Sequence, residues 1–273
     1  MILDAHVHLG TDKSAAKALL KAADGVGIDR LVIFSGEAWE GRTDQVLKAA
    51  KAHPDRLIPF GWFILGHDSP ALVDELADQG VKGMKFIYPR HDYNDLRYWP
   101  VYERCATHNL VGLFHTGIVS RDDADRLLDV DTERMKPIKL DRVFRAFPEW
   151  NVVIAHMGNP WHDEAAMMLR WHKNMYSDLS GSTLKYRAPS YLQGLLWWGR
   201  DQTYRDALGR VAFDKIVFGT DVSPSKMQEV YDDYQRFFDA IDLAPDLRAK
   251  VMGGTLAGLL GLRQEGKVIP VAP

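Results

Sequence analysis

The stretch Asp4-Ala5-His6-Val7-His8 lies at the N-terminus, inside the apolar, β-favouring run from Ile2 to Leu9. Because alternate side chains of a strand share a face, His6 and His8 point the same way, and Asp4 points with them. Two imidazoles spaced in this way can bind one metal ion in neighbouring coordination positions, and imidazole suits zinc, iron, nickel and copper. A His-x-His pair in a strand more often serves packing, so a metal site requires further ligands at the ends of later strands.

Downstream of this stretch, apolar strand-like runs alternate with helical segments along the whole chain. The predicted strands are 2–9, 30–34, 57–64, 81–87, 110–115, 151–156, 175–179 and 215–219. The predicted helices are 13–24, 43–53, 70–79, 100–108, 137–147, 164–173, 202–210, 226–240, 245–252 and 255–262. An irregular stretch rich in Trp and Tyr is predicted over 181–200.

The strand runs are continuously apolar, which is typical of parallel strands covered by helices. Eight such βα units in 273 residues fit an α/β protein with a single (β/α)8 TIM-barrel domain over residues 1–273, close to the ~250 residues typical of that fold. A doubly wound open sheet is the alternative. It requires a glycine-rich turn after the first strand, whereas Gly25-Val26-Gly27 follows a helix.

Composition narrows the class of protein further. The chain is 46% hydrophobic and 26% charged, as in soluble globular proteins, and its net charge of -3 gives no indication of a nucleic-acid partner. The single cysteine, Cys105, excludes an intrachain disulfide framework and fits a reducing compartment. We find no signal peptide and no apolar run long enough to span a bilayer, so we expect a cytoplasmic protein that makes no membrane contact.

Ionisable residues recur where the predicted strands end. These residues are His6 and His8 on the first strand, Lys85 on the fourth, His115 on the fifth, His156 on the sixth, Asp178 on the seventh and Asp221 after the eighth. Chemistry in such barrels takes place at this edge. Buried polar groups cost about 1–3 kcal/mol each when unpartnered, so a cluster of them needs a common partner, and a divalent cation is the obvious one.

Five segments of the chain contain these strand-end residues: Asp4-Ala5-His6-Val7-His8, Phe114-His115-Thr116-Gly117, Ile154-Ala155-His156-Met157-Gly158, Ser177-Asp178-Leu179-Ser180-Gly181 and Phe218-Gly219-Thr220-Asp221. Together they resemble the amidohydrolase superfamily, and more closely its amidohydrolase-related branch. That branch includes aminocarboxymuconate-semialdehyde decarboxylase and resorcylate-type decarboxylases. The resemblance keeps the order of the motifs over nearly the whole chain. It implies a barrel, usually with one divalent metal, that catalyses hydrolysis, hydration or non-oxidative decarboxylation.

The resemblance also implies roles for individual residues. His6, His8, His115 and Asp221 would be the metal ligands. Three imidazoles and one carboxylate suit zinc, with manganese as the alternative. His156 would contact the reacting water or the substrate, and Asp221 could also accept a proton.

Two of the strand-end residues can have more than one role. Lys85 can bind a substrate carboxylate, pair with a neighbouring acid, or serve as the carboxylated lysine that bridges two metals in binuclear members of the superfamily; we predict a mononuclear site and an uncarboxylated lysine. Asp178 can orient a histidine that binds the metal, or act as a structural cap.

The loops after the strands are expected to shape the substrate pocket. Arg90, in the loop after the fourth strand, can clamp a carboxylate, and Trp161 follows the sixth strand closely. The apolar stretch 191–198 is predicted to be core, with a subunit contact in a homo-oligomer and a lid as alternatives.

Three functions are consistent with the sequence. The first is a metal-dependent hydrolase of a small polar substrate, such as an amide or a lactone. The second is a metal-dependent non-oxidative decarboxylase of an aromatic or dienoic acid. The third is a barrel without catalytic metal that binds a partner, and elemental analysis distinguishes it from the other two.

Overall fold

The structure is a computed structural model that describes residues 1–36, 43–120, 125–197 and 204–262. Its centre is a sheet of eight parallel strands in the order β1 to β8, so each strand pairs with its neighbours in sequence. The strands are β1 (Leu3–Leu9), β2 (Arg30–Ser35), β3 (Leu57–Phe63), β4 (Gly83–Phe86), β5 (Val111–Phe114), β6 (Val152–Ile154), β7 (Met175–Asp178) and β8 (Ile216–Val217).

The sheet closes into a barrel through hydrogen bonds between β1 and the residues that directly follow β8. Ala5 N donates to Phe218 O at 2.9 Å, and Asp221 N donates to His6 O at 2.8 Å. Closure leaves no sheet edge unpaired between these strands and confirms the predicted (β/α)8 barrel.

Helices cover the outside of the barrel. They are α1 (Ala15–Val26), α2 (Asp44–Ala52), α3 (Ala71–Asp78), α4 (Trp99–Thr107), α5 (Asp125–Leu128), α6 (Asp141–Ala146), α7 (His162–Trp171), α8 (Thr183–Tyr186), α9 (Pro189–Leu196), α10 (Met227–Ala240), α11 (Pro245–Ala249) and α12 (Thr255–Leu259). No helix in the described ranges is long and apolar enough to cross a membrane.

The longest of these helices, α10, anchors the ends of two strands. Tyr234, Phe237 and Phe238 on its inner face are buried. The hydroxyl of Tyr234 accepts a hydrogen bond from Leu179 N at 2.9 Å and a longer one from Gly219 N at 3.4 Å. The helix therefore fixes the backbone just beyond β7 and just before Asp221.

Two local predictions were wrong. No helix forms over the described part of 202–210, because the Asp206 carboxylate accepts hydrogen bonds from the backbone N–H groups of Leu208 and Arg210 and holds a turn instead. Gln202 lies outside the described residues. The stretch 181–200, expected to be irregular, contains α8 and α9, and Pro189 at the first position of α9 suits a helix start.

In α9, Leu192 and Leu196 are buried in the core, as expected for the apolar stretch 191–198. Trp198 lies outside the described residues.

Candidate metal centre

Predicted strand-end residues meet at one end of the barrel and form a cluster of His6, His8, His115, His156, Asp178 and Asp221. His6 and His8 belong to β1, and Asp178 is the last residue of β7. The remaining members, His115, His156 and Asp221, follow strands β5, β6 and β8 within a few residues. Parallel strands bring their carboxyl ends to the same rim, so residues more than 200 positions apart in sequence become neighbours.

Asp221 is the point on which three imidazoles converge. Its Oδ1 lies 3.2 Å from His8 Nε2 and 3.4 Å from His6 Nε2, and its Oδ2 lies 3.6 Å from His156 Nε2. The backbone of Asp221 has φ +51°, a conformation that turns the chain sharply after β8. The hydrogen bond from its N–H to His6 O fixes this turn against β1.

Hydrogen bonds on the far side of each ring fix the imidazole tautomers. His6 Nδ1 lies 2.8 Å from Asp178 Oδ2, and His8 Nδ1 lies 3.1 Å from the carbonyl oxygen of Ser35. Both partners are acceptors, so each Nδ1 carries the proton and each Nε2 keeps a lone pair. These lone pairs belong to the nitrogens that approach Asp221.

A serine fixes His156 in the same tautomer, with the proton on Nδ1. The hydroxyl of Ser180 donates to Asp178 Oδ1 at 2.6 Å, so its oxygen can only accept from His156 Nδ1, 2.8 Å away. The Nε2 lone pair of His156 therefore also faces the cluster. Ser180 was not predicted as a site residue, although its place two residues after the strand-end aspartate was a usable signal.

Asp178, which is fully buried, organises this network through both of its carboxylate oxygens. One of its oxygens binds His6, and the other accepts from Ser180 Oγ, Ser180 N and His156 N. Burial raises the pKa of this carboxyl, but His6, His156 and Ser180 outweigh burial and bring it well below its usual value. Asp178 thus orients two histidines, one of the roles considered for it.

The backbone around His156 leaves no spare room. His156 and Met157 both have positive φ, +63° and +47°, and Gly181 lies against the ring. A Cβ at Gly181, whose φ is +61°, would lie 2.4 Å from His156 Nδ1. Glycine at this position is therefore required by both conformation and space.

Burial keeps His6, His115 and His156 neutral at physiological pH. Burial lowers the pKa of His6 to about 4, with Lys85 acting in the same direction. Burial also lowers the pKa values of His156 and, further, of His115. A neutral imidazole is the form that binds a metal or accepts a proton.

The donor set fits a divalent cation. The ligand atoms of His6, His8 and Asp221 lie within 4.8 Å of one another. His115 Nε2 is buried and has no hydrogen-bond partner among the described residues, although its ring lies 4.8 Å from that of His156. A buried nitrogen without a hydrogen-bond partner requires an explanation, and coordination of a metal ion would supply the partner.

A second group, His6, His156 and Asp178, also brings donor atoms within 4.8 Å. The oxygens of Asp178 already accept four hydrogen bonds, so we assign this group to orientation of the rings.

Lys85 also reaches the cluster. Its side chain is fully buried, and Nζ lies 3.0 Å from His6 Nε2. Burial lowers the pKa of Lys85 to about 8, whereas Asp221 and Asp178 act in the opposite direction. The ammonium therefore persists at pH 7.

The other two predicted substrate-binding residues lie apart from the cluster. Arg90 donates to Leu127 O at 3.3 Å, and the ring of Trp161 lies 5.0 Å from Lys136 Nζ. Neither makes a hydrogen bond or ring contact with the histidines within the described ranges.

A cavity of about 250 Å³ opens beside Asp221. Its lining includes Ser180, Gly181, Ser182, Thr220 and Lys226. Side-chain exposures of 34% for His8 and 22% for Asp221 indicate that solvent reaches the cluster. The cavity gives a small polar molecule access to Asp221.

The sequence profile of the amidohydrolase family matches residues 4–262, which include every member of the cluster. No curated protein sequence matches the chain.

Several solved structures share the fold. A 2,6-dihydroxybenzoate decarboxylase from Rhizobium is 16% identical, with 96% of this chain and 98% of that chain covered and a TM-score of 0.64. A probable 2-pyrone-4,6-dicarboxylic acid hydrolase from Acinetobacter baumannii is 15% identical, with 95% and 99% covered and a TM-score of 0.62. An amidohydrolase from Burkholderia multivorans with bound zinc is 15% identical, with 96% and 100% covered and a TM-score of 0.64.

At these identities the structures indicate a shared fold, whereas the profile match over nearly the whole chain indicates ancestry. The chain is therefore an enzyme of the amidohydrolase family.

Proposed function

We propose that this protein is a metal-dependent hydrolase that cleaves an amide or lactone bond of a small polar substrate. The observation that carries the proposal is the convergence of imidazole lone pairs on Asp221, with the unpaired His115 Nε2 beside them. His6, His8, His115 and Asp221 would hold one divalent ion, for which zinc suits three nitrogens and one oxygen. Manganese is the alternative. Such an ion would polarise a substrate carbonyl and lower the pKa of a bound water.

The roles of Asp221 and His156 follow from their positions. Asp221, whose carboxylate oxygens face the Nε2 atoms of His6, His8 and His156, would serve as a metal ligand and as a hydrogen-bond acceptor for the attacking water. His156 is neutral, and its Nε2 lone pair lies 3.6 Å from Asp221 Oδ2, so it takes the proton and returns it to the leaving group. Ser180 holds the ring in the tautomer that this task requires.

Substrate would enter through the cavity beside Asp221. Lys85 is the buried cation nearest the cluster and would contact an anionic group of the substrate. Arg90 and Trp161 remain predicted contacts for parts of a substrate further from the reacting bond.

Decarboxylation of an aromatic or dienoic acid is the second candidate. It is favoured by the shared fold of the 2,6-dihydroxybenzoate decarboxylase and by the buried ammonium of Lys85, which suits a carboxylate. The metal-reconstituted enzyme, assayed on lactones, amides and aromatic acids, separates the two functions. Hydrolysis releases an acid or amine without CO2, whereas release of CO2 from an acid would replace the first candidate by the second.

The division of roles predicts different losses in two variants. His156→Asn should keep its metal and its thermal stability, while turnover falls roughly 10²–10⁴-fold, the usual contribution of a positioned proton-transfer group. Asp221→Asn should lose both metal affinity and turnover. His115→Asn is the control for loss of a ligand, and metal content together with turnover is measured for all three. If His156→Asn loses metal as readily as His115→Asn, His156 is itself a ligand.

A further inference from the structure

Lys85 occupies a position that is incompatible with metal binding at His6 Nε2. The Nδ1 proton of His6 is donated to Asp178, so Nε2 offers this imidazole's single lone pair. Lys85 Nζ lies 3.0 Å from Nε2 and donates a hydrogen bond to it. One lone pair cannot accept this hydrogen bond and coordinate a metal at the same time.

We propose that Lys85 is an internal competing cation: its ammonium occupies the coordination position of His6 Nε2, and a divalent metal enters by displacing it. This inference rests on the metal site of the proposed function. It adds that the chain weakens its own metal affinity through a residue that is not a ligand.

The charges around Lys85 support this role. The carboxylates of Asp178 and Asp221 lie 2.8 Å and 3.4 Å from the ring nitrogens of His6, the residue that Lys85 contacts. Within the described ranges, no other lysine or arginine forms a hydrogen bond or ion pair with this cluster. The ammonium thus compensates the negative charge of these carboxylates in the metal-free protein, and a divalent ion arriving beside it would meet a like charge.

The surroundings hold Lys85 at this position. The side chain is fully buried, and Nζ lies 4.9 Å from the centre of the Phe34 ring, a favourable distance for a cation–π contact. The ammonium therefore has partners on two sides without a metal, and displacing it forfeits the hydrogen bond to His6.

Lys85→Met tests the competition, because methionine keeps an unbranched apolar side chain and removes the charge. The matched control is Lys82→Met, an exposed lysine immediately before the same strand. Zinc affinity of the metal-free proteins is measured at pH 7 against a chromophoric chelator. We expect Lys85→Met to bind zinc at least about tenfold more tightly than wild type, and Lys82→Met to match wild type.

The other outcomes overturn the inference in distinguishable ways. Equal affinity in Lys85→Met and wild type would show that the ammonium does not compete. Weaker binding with lower stoichiometry would make Lys85 a ligand, as a carboxylated bridging lysine is. If neither protein binds zinc, the metal site of the proposed function fails, and this inference fails with it.

A second measurement uses the wild-type chain alone and so does not depend on whether the variant folds. Crystal structures without and with zinc should place Lys85 Nζ within hydrogen-bonding distance of His6 Nε2 in the first and beyond it in the second. A zinc-loaded structure in which this hydrogen bond persists would contradict the displacement.

Discussion

At the scale of single residues, the position of the His156 ring depends on one glycine. Gly181→Ala would force a Cβ to within 2.4 Å of His156 Nδ1, at a backbone φ that side chains rarely adopt. We expect this variant to break the hydrogen bond between His156 and Ser180 and to reduce turnover at least about tenfold, with a stability loss of about 1–3 kcal/mol. The ¹⁵N chemical shifts of the His156 ring and the urea midpoint measure the two effects.

Gly194→Ala is the matched control for this substitution. Gly194 lies within α9, and a Cβ there would meet no atom within 4 Å. An alanine in the interior of a helix should leave stability unchanged or raise it by up to about 1 kcal/mol. Unchanged His156 shifts in Gly181→Ala would mean that the glycine is not needed for the ring position.

At the scale of elements, α10 contributes to the site through the hydroxyl of Tyr234. Tyr234→Phe would leave the buried N–H of Leu179, next to Asp178, without its partner. We expect a loss of about 1–3 kcal/mol in the free energy of unfolding, measured by urea denaturation. Tyr231→Phe, on the same helix, is the control, because the hydroxyl of Tyr231 has no hydrogen-bond partner within the described ranges. Equal effects of the two substitutions would contradict this role of α10.

The elements also show what the sequence could predict. The eight apolar runs identified all eight strands, because parallel strands under helices are apolar on both faces. Strand β8 is only two residues long, since the chain turns early to present Asp221, and hydrophobicity does not record that turn. The Asp206 turn was missed because side-chain capping can override helical spacing.

The cluster itself was predictable from residue type and strand position. The hydrogen-bond network that orients the imidazoles was less predictable. The hydrogen bond between His6 and Asp178 joins residues 172 positions apart. His156 contacts Ser180, 24 positions away, and Ser180 in turn contacts Asp178, two positions away. Such partners follow from the register and closure of the barrel, which a single sequence does not specify. The contact between Lys85 and His6 was missed for the same reason.

At the scale of the whole molecule, the buried histidines make stability depend on pH. The pKa of His6 is about 4 in the folded chain, against 6.5 for an unperturbed histidine, and the pKa values of His115 and His156 are also lowered by burial. Between these values the unfolded chain binds more protons, so the free energy of unfolding falls as the pH is lowered from about 6.5 towards 4. His6 alone accounts for on the order of 3 kcal/mol.

Urea denaturation of the metal-free protein at pH 7, 6 and 5 measures this dependence. His53→Gln, which changes an exposed histidine, should leave the slope with pH unaltered. A stability that is flat across this range would mean that the imidazoles bind protons equally in the folded and unfolded chains, so that burial does not lower their pKa values.

The metal content of the purified chain tests the central claim most directly. Wild-type protein, stripped of metal and reloaded with zinc or manganese, should retain close to one metal ion per chain by elemental analysis, because the ligand atoms of His6, His8 and Asp221 lie within 4.8 Å of one another and the buried His115 Nε2 has no hydrogen-bond partner among the described residues. The double variant His6→Ala with His8→Ala should retain none. Wild-type protein that binds no stoichiometric metal, or a double variant that binds it undiminished, would contradict the account.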